Sequence, residues 1–150
     1  MSANDPQDNY AMSVKQAVPV VAALCEALPA NRFRVYSPAA LGFGGITVDL
    51  TAEGLHRAKE NARQKGDVDP ELTTSWYFDS TWGGDDQYPD GRGEAQDFIG
   101  RTHLCIFRST ANMAFKDDMN PGGPDIASDP LDIAKWILKI IMGDTARYWS

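Results

Sequence analysis

The sequence predicts an α+β domain: a mainly antiparallel sheet of about four strands with three helices packed on it. Two observations carry that reading. Segments of helical period open, divide and close the chain, with strand-like segments in pairs between them. The regular strand-helix-strand alternation that marks a parallel sheet does not occur. The length of 150 residues suits one domain, and such a domain removes about 68–70% of its unfolded surface from water. Residues 1–12 read as a flexible polar tail and residues 13–150 as the domain.

Ser13 caps the first predicted helix, which runs to Leu28 with Ala17, Val18, Val21, Leu24, Cys25 and Leu28 on one face. Pro19 delays the regular part of that helix. Arg32 to Tyr36 alternates charge with bulk, as a half-buried strand does, and Pro38 ends it. Ile46 to Leu50 is the second strand. Thr51 caps a helix that runs to Lys65 and stops at Gly66, with Arg63 and Lys65 placed well against the helix dipole. Its apolar stripe is only Leu55, Ala58 and Ala62, so it is a surface helix. Leu72 to Phe78 is rich in β-formers and gives the third strand, Trp76 and Phe78 sharing its core face. A long glycine-containing loop follows, and Thr102 to Phe107 is the fourth strand. Asn120 to Asp125 is irregular chain.

Asp129 followed by Pro130 is a strong helix start. Leu131, Ile133, Ala134, Trp136, Ile137, Leu138, Ile140 and Ile141 leave that helix only a thin polar stripe at Asp132, Lys135 and Lys139. Such a helix is either central to the core or covered by a partner. A homodimer through this helix and the terminal Arg147, Tyr148, Trp149 and Ser150 is the assembly the sequence admits.

Between Met1 and Asn9 there is no lysine or arginine, whereas a secretory signal opens on a basic region. No apolar run approaches the roughly 20 residues that span a bilayer. A cytoplasmic protein without a membrane partner is therefore expected. Cys25 and Cys105, far apart and each among apolar residues, are expected to be buried free thiols.

Charge is the informative feature. Nine acidic residues lie between Asp67 and Asp97, namely Asp67, Asp69, Glu71, Asp79, Asp85, Asp86, Asp90, Glu94 and Asp97, against Arg92 alone. That stretch carries −8, so the rest of the chain sums to +1 of the net −7. Trp76, Tyr77, Phe78, Trp82 and Tyr88 fall in the same stretch. A field of one sign speeds encounter with a partner of the other sign, and interface cores are enriched in tryptophan and tyrosine.

No motif for catalysis or a cofactor stands out. Asp86, Asp90, Gly91, Glu94 and Asp97 can be laid on a calcium-binding EF-hand loop, but Tyr88 falls where a ligand belongs and Asp97 is shorter than the usual final glutamate. Pro89, Asp90 and Gly91 read more simply as a turn. His56 and His103 are the only histidines, and neither has a zinc-ligand spacing. His103 and Cys105 share a strand face by pleat alone, so Cys105 reads as packing. The glycine-rich run Leu41 to Ile46 leads into a strand, whereas a phosphate site needs a helix N-terminus. Arg57, Lys59, Arg63 and Lys65 form a modest basic helix face that Glu53 and Glu60 interrupt, and the negative molecule opposes nucleic-acid binding.

Two classes of function remain. The first is a protein-binding module of the inhibitor or immunity type, neutralising a basic partner through an acidic aromatic loop with Asp79, Trp82, Asp85, Asp86, Tyr88, Asp90 and Glu94 as its contact residues and no cofactor or metal. The second is a small-molecule or carbohydrate binder or hydrolase that uses aromatic platforms and a carboxylate pair from the same loop.

Overall fold

The computed structural model describes residues 14–37, 45–80, 104–110, 113–115 and 123–149. The expected tail, the Ser13 cap and residues 38–44, which include most of the glycine-rich run, lie outside these residues. Residues 81–103 and 116–122 also lie outside them.

The described residues form the expected α+β arrangement. Helix α1 (Val14–Ala27) leads to strands β1 (Phe33–Tyr36) and β2 (Ile46–Leu50), then to helix α2 (Ala52–Gln64). Strands β3 (Thr73–Ser80), β4 (Leu104–Thr110) and β5 (Met113–Phe115) follow, and helix α3 (Pro130–Thr145) runs into a short 3-10 turn, Ala146–Tyr148. The sheet order is β1-β2-β3-β4-β5, with every neighbouring pair antiparallel. The four anticipated strands are all present, and β5 extends the sheet by one short edge strand.

Register explains where the core lies. Val35 pairs with Val48, Val48 with Trp76, Ile46 with Phe78, and Phe78 with Ile106. Residues directly opposite in a sheet share a face, so these side chains form one apolar surface. It meets Ala17, Val20, Leu24 and Leu28 of the first helical segment and Ile133, Ala134, Ile137 and Ile141 of α3 in a single cluster. Trp76 and Phe78 are fully buried there, as their alternation predicts, and truncating a residue of that size typically costs about 3–5 kcal/mol. Phe78 also meets Trp136 edge-on, with ring centroids 5.7 Å apart.

Two expectations about α1 are corrected. The helical spacing puts Val18 and Cys25 on its inner face, yet both are exposed while Cys105 is the buried thiol. The helix is rotated so that Ala17, Val20, Leu24 and Leu28 point inward. Val18 and Cys25 each follow a buried residue and are turned about 100° away from it. Pro19 does not delay the helix, which runs through it from Val14.

Helix α2 behaves as its sequence directs. Thr51 Oγ1 accepts from the Gly54 amide at 3.0 Å and donates to the Asn31 carbonyl at 2.6 Å, tying the cap to the turn between α1 and β1. Gly54 lies so close to that turn that a Cβ would come within 2.5 Å of the Arg32 carbonyl oxygen. At the other end Gly66 takes φ +95° and stops the helix.

Helix α3 is central to the core, with Leu131 and Met142 left exposed. Asp129 caps it through the Leu131 amide at 2.9 Å, and its apolar face is buried inside its own chain. Of the terminal residues offered to a second copy, Arg147 is exposed, whereas Tyr148 and Trp149 pack within the chain. Tyr148 is buried and donates to the Thr73 carbonyl at 3.0 Å. Trp149 meets Phe33 edge-on at 5.7 Å and lies under the Arg32 guanidinium at 4.7 Å.

Candidate functional site

The two faces of the sheet differ in chemistry. Every strand residue of the core cluster belongs to the helix-covered face. The opposite face carries Arg34, Asp49 and Ser75 in one transverse row and Tyr36, Thr47, Tyr77 and Phe107 in the next, with Asp79 and Cys105 paired beyond them. Two-residue alternation in "ITVDL" and "SWYFD" produces this: each inward apolar residue is followed by a polar or amphipathic one facing away.

On this second face hydroxyls and carboxylates are matched. Tyr36 donates to Asp49 Oδ2 at 2.9 Å, and Ser75 donates to Asp49 Oδ1. Tyr77 donates to Asp79 Oδ2 at 2.9 Å, with its ring tilted against Phe107 at 6.2 Å. The Arg34 guanidinium lies 4.7 Å over the Tyr36 ring, a cation–π contact. Burial, then the charge of Asp79 and the hydrogen bond to it, pushes the Tyr77 hydroxyl well above its usual value of 10.0. Burial and Asp49 raise Tyr36 likewise, with Arg34 opposing. Both phenols therefore stay protonated across the physiological range, and a protonated phenol donates hydrogen bonds; it is no general base.

Asp79 differs from its expected setting. Assigned by sequence to the loop after Phe78, it instead lies within β3, because pairing with β4 continues to Ser80 opposite Leu104. It is buried at 9% exposure, one residue before the end of β3. Trp82, Asp85, Asp86, Tyr88, Asp90 and Glu94 lie outside the described residues, as do Gly91, Asp97 and His103. The acids at the start of the segment also have unexpected neighbours: Asp69 and Glu71 line a cleft with Lys59 and Arg63 of α2. Arg63 is paired with Glu60 at 2.9 Å, so the basic face of α2 is interrupted as its sequence implies.

Among the described residues no group of three or more histidine, cysteine, aspartate or glutamate side chains could hold a metal ion. His56 is exposed on α2, and Cys105 is buried against the far side of the sheet from the helices. Among the described residues no helix is long and apolar enough to cross a membrane. Sequence reasoning passed over Asp49, Tyr36, Ser75 and Tyr77 as a set, although strict alternation in β2 and β3 held the signal. No family model, no curated protein and no solved structure matches this chain.

Proposed function

We propose that the protein is a cytoplasmic protein-binding module, of the inhibitor or immunity type, that neutralises a basic partner through its acidic aromatic segment. The observation that carries this reading is the division of the sheet. All apolar strand residues of the core face the helices, so the second face keeps an ordered array of tyrosines and carboxylates. Among the described residues of that face Asp49 is the half-buried carboxylate, while Asp79 is buried. β3 ends immediately beyond Asp79, where the sequence enters the stretch holding Trp82, Asp85, Asp86, Tyr88, Asp90 and Glu94. Tyrosine and tryptophan supply rigid contact area, and the surrounding carboxylates steer a cationic surface into register.

The test is capture of binding proteins by the tagged full chain at low salt, followed by kinetics with the recovered protein. A basic partner is expected, with association slowed roughly tenfold or more by added salt or by Asp85→Lys with Asp86→Lys. Recovery of no basic protein, or association indifferent to both salt and the substitutions, overturns the proposal.

A further inference from the structure

A cleft of about 390 Å³ opens between α2 and the extended segment that leads into β3. Its volume falls within the range of roughly 300–1,000 Å³ typical of small-ligand sites. Lys59 and Arg63, one helical turn apart, line it from α2, while Asp69 and Glu71 line it from the segment before β3. Thr74 and Thr110 contribute from the sheet, and Leu55, Val68 and Leu72 add apolar surface.

Several features distinguish this cleft from ordinary charged surface. Lys59 and Asp69 carry opposite charges within the same cleft, yet neither makes a hydrogen bond or ion pair with any described residue. The Thr74 and Thr110 hydroxyls are likewise without partners among the described residues. Arg63 gives one nitrogen to Glu60, and a guanidinium has five N–H donors, so it retains capacity toward the cleft. The strand register also breaks at this place: Thr73 pairs with Thr110 and Ser75 with Ser109, leaving Thr74 as the extra residue of a β-bulge. Bulges re-aim side chains and concentrate near functional sites. Finally, Val68 is 84% exposed, the most exposed large apolar side chain among the described residues.

We propose that this cleft binds a small zwitterion of the amino-acid class with an apolar side chain. Its carboxylate is held by Lys59 and Arg63, its ammonium by Asp69, and its apolar part covers Val68. The mixed lining selects this chemistry. A phosphate or other simple anion meets Asp69 and Glu71, and a simple cation meets Lys59 and Arg63, so either is opposed by one pair of like charges. A ligand carrying both charges satisfies both pairs. The threonine hydroxyls can donate or accept, and so suit the polar atoms between the charged ends. The site is independent of the partner-binding segment and stands or falls separately.

The experiment is a titration of the full chain, followed by amide chemical shifts, with four probes: leucine, leucyl-leucine, N-acetyl-leucine and leucinamide. Saturable shifts confined to α2, residues 67–72 and Thr74 are expected with leucine or the dipeptide, whichever spans the two charged pairs. Removing either charge from the ligand should weaken binding about tenfold, the equivalent of one interaction of about 1.4 kcal/mol. Lys59→Met should weaken the zwitterion but not leucinamide, and Asp69→Asn the zwitterion but not N-acetyl-leucine. Thermal melts of both variants check that they remain folded. Absence of saturable shifts with both zwitterions, shifts elsewhere in the chain, or equal binding of the capped probes overturns the proposal.

Discussion

Three polar groups meet where α3 crosses the sheet, and removing one of them separates a buried hydrogen bond from a half-open ion pair. Asp144 Oδ2 accepts from Trp76 Nε1 at 2.7 Å and from Arg108 Nε at 2.6 Å, while Oδ1 accepts from Arg108 Nη2 at 3.4 Å. Trp76 is fully buried, so Asp144→Ala leaves an indole N–H without an acceptor and without water. That costs about 1–3 kcal/mol. The Arg108 and Asp144 side chains are 21% and 26% exposed, so solvent weakens their attraction and its loss adds only about 1 kcal/mol. The expected destabilisation is about 2–4 kcal/mol. Asp144→Asn keeps an acceptor oxygen for the indole and should cost only about 1 kcal/mol. Trp76→Phe removes the donor, so in that background Asp144→Ala should likewise cost about 1 kcal/mol. Urea unfolding followed by circular dichroism reads all four variants. If Asp144→Ala stays within about 0.5 kcal/mol of the parent, or costs as much in the Trp76→Phe background, the reasoning fails.

Two further outcomes follow from the sheet and the thiols. Tyr36, Tyr77 and Tyr148 all have hydroxyls raised above 10.0, burial being the first cause in each. In the unfolded chain they ionise near pH 10, so the native state holds more protons above that pH and stability falls as pH rises. Stability from these groups is complete below about pH 10, and Tyr77→Phe should flatten the alkaline loss; alkaline denaturation curves, with tyrosinate absorbance as a second readout, check both. Cys25 is exposed and Cys105 buried, so a thiol reagent should modify one cysteine quickly in the native protein and both after unfolding. Two fast thiols, or none, contradict the packing of α1 and β4.

What the sequence revealed follows from how local each determinant is. The caps at Thr51 and Asp129 and the stop at Gly66 depend on a few neighbouring residues, and each stands where its residue type demands. The core face of β3 is a matter of period two, so Trp76 and Phe78 were legible. The inward angle of α1 is set by the sheet and α3, which its own sequence does not contain; hence the misplacement of Val18 and Cys25. The end of β3 is likewise decided by pairing with β4, a partner more than twenty residues away, and this carried Asp79 from loop to strand. The bulge at Thr74 and the cleft beside it arise from that same distant pairing, and no local pattern announces them.

These placements also sharpen the electrostatic argument. Of the nine acids between Asp67 and Asp97, Asp69 and Glu71 share a cleft with Lys59 and Arg63, and Asp79 is bound inside the sheet by the Tyr77 hydroxyl. Of the six others, Asp67 is exposed beyond the end of α2, and Asp85, Asp86, Asp90, Glu94 and Asp97 against Arg92 carry a net −4 over thirteen residues of sequence. Asp85→Lys with Asp86→Lys changes that by +4 and brings the stretch to zero. A steering field centred there should disappear with the substitution, and the salt dependence of association with it. Salt dependence that survives the double reversal places the attraction elsewhere, on Asp49 or the acidic residues of the cleft. The two outcomes therefore separate a segment that steers a partner from one that merely carries charge.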